Sequence, residues 1–169
     1  MPLSESQLEE EIKGKLAGVP VSFNVGKSGL EAHVGREHLI ELCKLLHDEP
    51  SLCFDYLRCI STVDWIEDGQ IEVVYHLYSM AHGHCIIIKV RIPREEPKLP
   101  TVSGIWAAAN WLEREAYDLM GVVFDGHPDL RRILLPQDWE GHPLRKDYSY
   151  DPVEFDEWYA AKVRRGEIP

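Results

Sequence analysis

Three neighbouring stretches decide the fold of this chain: FDYLRCISTVDW (54–65), IEVVYHLYSM (71–80) and HCIIIKVRIP (84–93). Each is rich in β-branched and aromatic residues, which favour strands, and short turn sequences that end in glycine separate them. The pattern predicts three long strands in an antiparallel meander. Ile86, Ile87 and Ile88 are apolar on both faces of their strand, so we place that strand in the interior of the sheet.

The segments on either side of the meander indicate an α+β protein. The predicted helices and hairpin strands before it cover residues 4–16, 21–25, 30–34 and 36–47. A third helix is predicted over 102–120, and Gly121 is suited to end it. We therefore expect residues 1–121 to form a two-layer α+β domain, with a mixed, mostly antiparallel sheet of about five strands and helices on one face.

Regular periodicity ends after Gly121. Residues 125–152 contain four prolines and no run long enough for a helix. We expect residues 122–169 to be an extended, partner-binding arm with a short charged tail. Within this arm, RRILL (131–135) is compatible with a short strand and EFDEWYAAKVRRG (154–166) with a short helix.

Composition excludes several classes of protein. The net charge of −11 over 169 residues argues against nucleic acid and anionic lipid as partners. No apolar run approaches the roughly 20 residues of a membrane-spanning helix, and the acidic N-terminus does not resemble a secretory signal. The four cysteines form no Cys-x-x-Cys pair, so we interpret them as small buried hydrophobes rather than as ligands of a cluster.

Two kinds of catalytic site are conceivable, and neither has the spacing that it needs. The candidate metal ligands match no zinc signature; they are His82, His84, His127 and His142, with Asp125 or Asp147. Glu113 and Glu115 are two residues apart on a helix and point about 200° away from each other, so they do not form a carboxylate pair. We predict instead that Arg114 and Asp118, four residues apart, pair on the helix surface.

The segment GHPDLRRILLPQDWEGHPLRKDY (126–148) combines two Gly-His-Pro triplets, two basic pairs and seven large apolar residues. This apolar area is too large to leave in water, and Arg and Trp are enriched at the energetic centres of protein interfaces. From the residues alone, two interpretations remain open: the segment folds back over its own sheet, or it lies on a partner protein.

From Trp111 to Tyr148 the chain resembles the signature of the 30-kDa subunit of respiratory complex I. The family pattern falls on Glu113–Glu115, Asp118–Met120, His127, Arg131, Ile133 and Leu134, and its second half falls on Gly141–Tyr148. Related quinone reductases and membrane-bound hydrogenases carry the same subunit, so the resemblance does not by itself identify the electron donor.

The resemblance implies a non-catalytic structural subunit of the peripheral arm of a proton-translocating NADH:quinone oxidoreductase, at the cytoplasmic face of the cell membrane. It implies docking near the quinone site on the 49-kDa homologue, hereafter the quinone-site subunit. FMN and iron–sulfur clusters are expected in partner subunits, and no cofactor in this chain. The alternative is the equivalent scaffold subunit of an energy-converting hydrogenase or of a ferredoxin- or F420-linked quinone reductase.

The resemblance also implies which residues anchor the arm by ion pairs and bind the partner. They are Glu113, Arg114, Glu115, Asp118, His127, Pro128, Arg131, Arg132, Trp139, His142, Arg145, Lys146 and Asp147.

Overall fold

The computed structural model describes residues 2–16, 18–150 and 152–167. In chain order they form α1 (Glu5–Lys15), β1 (Val21–Gly26), β2 (Gly29–Val34), α2 (Leu39–Asp48), β3 (Tyr56–Trp65), β4 (Gln70–Tyr78), β5 (Cys85–Pro93), β6 (Lys98–Pro100), α3 (Ala109–Met120), β7 (Val123–Asp125) and α4 (Pro152–Arg165). The helix predicted in the tail is thus present as α4.

The main sheet has five strands in the order β1-β2-β5-β4-β3. Strands β2 and β5 are parallel, and the other neighbours are antiparallel. The predicted meander and the mixed, mostly antiparallel sheet are therefore confirmed. Strand β5 has a partner on both sides, as its run of isoleucines indicated. Strands β6 and β7 form a separate parallel pair.

One face of the sheet carries the hydrophobic core. Alternate residues of β4, from Ile71 to Leu77, are buried there beside the apolar sides of α1, α2 and α3. The residues between them, such as Glu72 and His76, lie on the opposite face together with Lys89 and Arg91 of β5. The protein is thus an α+β fold of two layers, with the helices on one face of the sheet as predicted.

The start of one helix differs from the prediction. Helix α1 is capped by Ser4, whose hydroxyl accepts from the backbone N–H of Gln7, in agreement with the predicted start at residue 4. Helix α3 begins at Ala109 instead of Val102. The preceding residues form turns, and the N–H of Val102 there donates to the carboxylate of Glu113.

Candidate partner-binding site at the end of α3

The segment 126–148, called here the returning segment, folds back against the C-terminal half of α3. No helix or strand is present between residues 126 and 150. The strand predicted for residues 131–135 is therefore wrong, and the reason is a carboxylate on α3. The backbone N–H groups of Ile133, Leu134 and Leu135 converge on Oδ2 of Asp118, at 2.9, 2.7 and 2.9 Å. Consecutive N–H groups of a strand point in alternate directions, so this arrangement excludes extended backbone.

Asp118 is fully buried and holds its charge through these contacts. Burial by itself raises the pKa of the carboxyl, but the hydrogen bonds from Leu135, Arg132, Ile133 and Leu134 outweigh burial and lower it. Arg132 Nη1 donates to Oδ1 of the same carboxylate at 2.7 Å. The result is a buried charged pair, and among the described residues its carboxylate oxygens accept only from the returning segment.

The returning segment also caps the C-terminus of α3. The last carbonyl groups of a helix have no partner within the helix. Here the carbonyl of Asp118 accepts from Arg132 Nη1 at 3.0 Å and from His142 Nδ1 at 3.0 Å, and the carbonyl of Met120 accepts from Arg145 Nε at 2.9 Å. Two arginines thus lie at the negative end of the helix dipole.

Gly121 makes this cap possible. Its φ is +75°, and a Cβ atom at this position would lie 2.6 Å from the ring of His142 and 2.8 Å from Nη2 of Arg145. Glycine therefore supplies both the left-handed conformation that ends the helix and the space for the two capping side chains.

A second buried carboxylate lies more than one helical turn earlier. Glu113 accepts from Thr101 Oγ1 at 2.5 Å and from the Val102 N–H at 2.7 Å. Burial raises the pKa of Glu113 to about 7. Nε2 of His127 is 3.9 Å from this carboxylate, and both side chains are fully buried. Since Nδ1 of His127 accepts from the Asp129 N–H, its Nε2 carries the proton that is donated to the Asn110 carbonyl.

The predicted surface pair between Arg114 and Asp118 is wrong. Both residues are buried, and Asp118 pairs with Arg132 instead. Arg114 donates to the carbonyl groups of Arg131 and Arg132, and its guanidinium lies 5.1 Å from the ring of Trp111. The returning segment covers part of the polar side of α3, so Arg114 and Asp118 bind that segment and not solvent, whereas Glu115 stays exposed.

Two residues of this network lie far away in sequence and were missed. Asp64, at the end of β3, accepts two hydrogen bonds from Arg94 at 2.8 and 3.1 Å. Arg94 also donates to Asp147 at 2.5 Å, and Asp64 accepts from the N–H of Lys146. The hydrogen bond from Arg94 is the main cause that lowers the pKa of Asp64. The one feature of the sequence that could have indicated this contact is Asp64 itself, a charged residue at a core-facing position of a strand.

The remaining predicted residues fall into two groups. Trp139 contacts Phe155 and Trp158 of α4 edge-on, with ring centroids 5.7 and 5.6 Å apart. The others are exposed: Glu115, Pro128, Arg131, Lys146 and Asp147. Arg131 pairs with its neighbour Asp129, at 2.9 Å. The exposed group is therefore accessible to another protein, whereas the buried group holds it in position.

In the part of the chain that the structure describes, no three His, Cys, Asp or Glu side chains are grouped so as to hold a metal. The four cysteines are free, and only Cys43 is buried, so the expectation of buried thiols fails for Cys85, which is exposed. No described helix has the length and apolarity that a bilayer requires.

Comparison with known proteins places the chain among its relatives. A family model for "Respiratory-chain NADH dehydrogenase, 30 Kd subunit" matches residues 32–154. A subunit of the NADH-quinone oxidoreductase of Roseiflexus sp. (strain RS-1) is 37% identical over 148 residues, which are 87% of this chain and 85% of the relative. The corresponding subunit of Chloroherpeton thalassium is 50% identical over 109 residues, which are 64% of this chain. The chain spans slightly less than half of that longer relative, 45%.

A solved structure shares the fold. It belongs to the membrane-bound sulfane sulfur reductase, described as an archaeal respiratory membrane complex. The likeness covers 92% of this chain and 91% of the other, with 28% identity and a TM-score of 0.76. The family match extends from the sheet through α3 and the returning segment, and it includes every charged residue of the network described above. On this evidence the chain belongs to the family of the 30-kDa subunit of respiratory-chain NADH dehydrogenase.

Proposed function

We propose that this chain is a non-catalytic structural subunit of the peripheral arm of a proton-translocating NADH:quinone oxidoreductase. Its role is to bind the quinone-site subunit and to support electron transfer from NADH to quinone without carrying electrons itself. In this proposal FMN and the iron–sulfur clusters belong to partner subunits, and the chain reaches the cytoplasmic face of the cell membrane only through the complex.

The observation that carries the proposal is the separation of buried charges from exposed apolar residues along α3 and the returning segment. The buried charges, led by Asp118 and Arg132, bind the returning segment to its own helix. The same fold leaves Trp111, Leu134 and Leu144 about 60% exposed. Large exposed apolar side chains beside charged ones are typical of a protein-binding surface.

The proposed docking surface consists of Trp111, Glu115, Arg131, Leu134 and Leu144, and it contacts the quinone-site subunit. Arg131 is the best single probe of this surface, because its side chain is 63% exposed and caps no helix end. Arg145 is a poor probe, because it donates to the Met120 carbonyl and its removal would disturb the fold as well as any docking.

The test is assembly of the full chain in its native membranes. The tagged chain is purified after gentle solubilisation, and co-purifying subunits are quantified by mass spectrometry. We expect the quinone-site subunit and the flavin- and cluster-bearing subunits to co-purify, and Arg131→Ala to reduce their yield. Arg36→Ala changes an exposed arginine outside the docking surface and is the matched control.

Two results would contradict the proposal. Recovery of the wild-type chain alone, even after crosslinking, removes the scaffold role. Equal yields of partner subunits with Arg131→Ala and Arg36→Ala, at unchanged thermal stability, remove the proposed docking surface but leave membership of the complex.

A second candidate is the equivalent scaffold subunit of an energy-converting hydrogenase or of a ferredoxin- or F420-linked quinone reductase. The likeness to the sulfane sulfur reductase, a respiratory complex with a different activity, supports this candidate. The same purification separates the two. The partners recovered with the chain include a flavin-bearing NADH-oxidising subunit in the first case and a hydrogenase-type or ferredoxin-linked subunit in the second.

A further inference from the structure

Strand β3 is a long edge strand whose outer side is unpaired. It lies at the end of the sheet and pairs only with β4. In an antiparallel pair every second residue directs its N–H and C=O away from its neighbour. Within the described residues, these outer groups of β3 have no backbone partner. Such a row of unpaired groups is a template for another strand.

Only part of the usual protection of an edge is present in this strand: Arg58 is its exposed charge, and the buried Asp64 is neutralised by Arg94. A bulge interrupts the register between Leu57 and Cys59, and the pairing is then regular as far as Trp65. The sequence of this regular part, CISTVDW (59–65), contains neither lysine nor proline, the residues that commonly prevent edge-to-edge pairing. It spans about 23 Å at the usual rise of a strand. The opposite edge, β1, is shorter and has six residues.

Apolar side chains accompany the open backbone. Val63 and Trp65 lie on the sheet face that carries no helices, and they are 37% and 39% exposed. Tyr56 and Ile66, at the two ends of the strand, are also exposed. An added strand would therefore gain both backbone hydrogen bonds and contacts with alternate side chains, the two components of strand addition.

Charge decides between a second copy of this chain and a different partner. Two copies related by a twofold axis would pair their β3 strands in antiparallel fashion. That arrangement brings Asp55 of one copy near Glu67 and Asp68 of the other, and all three residues are exposed. The exposed Arg58 offsets only part of this repulsion, because residues 55–68 contain four acidic residues and one basic residue. It also brings together two chains of net charge −11. Like charges across paired strands are destabilising, so a second copy is disfavoured.

We propose that the outer edge of β3, residues 59–65, receives an extended strand from a different protein subunit. The chemistry of the edge specifies an occupant with apolar residues at alternate positions facing Val63 and Trp65. It also specifies basic residues at the ends of the occupant, opposite Asp55 and Glu67. This inference rests on the proposed function, because it assumes that the chain works inside a hetero-oligomeric complex.

Hydrogen–deuterium exchange tests the proposal directly. The full chain is measured by itself and within the complex purified from native membranes. We expect the amides of residues 59–65 to exchange at least about tenfold more slowly in the complex, because the outer N–H groups become hydrogen-bonded there. Equal exchange of these amides in the two samples, with partner subunits present, would overturn the inference and leave the proposed function standing.

Lysine substitutions provide an independent readout with a matched control. Val63→Lys and Ser61→Lys place a charge on the exposed face of β3, and Val25→Lys makes the same change on the other edge strand, where Val25 is 65% exposed. We expect the first two variants to lower the yield of co-purified partner subunits at least about fivefold. Val25→Lys should leave the yield unchanged, and all three variants should keep the circular dichroism and Tm of the wild type.

Three outcomes would overturn the inference. One is an unchanged yield with both β3 variants. Another is a dimer of the isolated chain whose 59–65 amides become protected as its concentration rises, which would make the occupant a second copy. The last is recovery of the wild-type chain without any partner, which also overturns the proposed function and is thereby distinguished from the other two.

Discussion

Replacing Asp118 with asparagine preserves the shape of the side chain and removes its charge. In the wild-type protein Oδ2 accepts three backbone N–H groups and Oδ1 accepts from Arg132. An asparagine has one acceptor oxygen. If that oxygen faces the three N–H groups, the amide –NH2 faces the guanidinium of Arg132, which is only 12% exposed and loses its counter-charge.

The expected cost follows from these contacts. Removing one partner of a buried ion pair destabilises a protein by about 3–5 kcal/mol, because the other charge stays buried and unpaired. Since a domain of this size loses about 2–4 °C of Tm per kcal/mol, Asp118→Asn should lower the Tm by about 6–20 °C. Asp129→Asn removes a carboxylate from the exposed pair with Arg131 and should change the stability by less than about 1 kcal/mol.

The assays are thermal unfolding and urea unfolding of the full chain at pH 7, followed by circular dichroism and tryptophan fluorescence. The lowered pKa of Asp118 gives a second test. A carboxyl whose pKa is lower in the folded protein stabilises it above the ordinary aspartate pKa, and this stability disappears as the pH falls through the folded value. The difference between wild type and Asp118→Asn should therefore shrink in acid. A loss no larger than that of Asp129→Asn would refute the reasoning.

Three further predictions concern other parts of the network. Burial raises the pKa of Glu113 to about 7, so the folded protein holds this proton more tightly than the unfolded chain does. The wild-type protein should therefore lose on the order of a few kcal/mol of stability as the pH rises from about 4.5 to about 7. In urea unfolding, Glu113→Gln should remove this part of the pH dependence. Gly121→Ala should lower the free energy of unfolding by about 1–3 kcal/mol, because alanine disfavours the left-handed φ and its Cβ clashes with the capping side chains. The control is Gly104→Ala, whose added Cβ would have no atom within 4 Å and should have little effect in thermal unfolding. Trp139→Ala should speed proteolysis of α4 without changing hydrogen exchange in the sheet, because its ring joins α4 to the returning segment; equal cleavage of α4 in both proteins would contradict this.

The sheet was predictable from local patterns, and the position of the charges was not. Strands β3, β4 and β5 have strong β-propensity and clear turns, which need no knowledge of the rest of the chain. The i,i+4 spacing of Arg114 and Asp118 describes a free helix surface. It fails here because the returning segment covers that surface, and nothing local to α3 indicates a cover that begins at residue 126.

Contacts distant in sequence are also present at the two other errors. RRILL has an apolar content compatible with a strand, but its N–H groups are taken by Asp118, which is 15 to 17 residues away in sequence. The start of α3 was placed too early, and the N–H of Val102 in the misplaced part donates to Glu113, 11 residues further along. Both segments donate to a buried carboxylate on α3, and such long-range hydrogen bonds leave no periodic trace in the sequence.

The binding of three successive amides by Asp118 has a consequence for mutational tolerance. Because Oδ2 accepts only main-chain groups, the side chains of Ile133, Leu134 and Leu135 take no part in this anchor, and Leu134 is 62% exposed. A saturation library scored for folding alone should therefore accept many residues at the exposed position 134, whereas Ile133 and Leu135 are partly buried. It should reject proline at all three positions, because proline has no N–H to donate. Selection by a partner can then change the side chain at position 134 while the path of the backbone stays fixed.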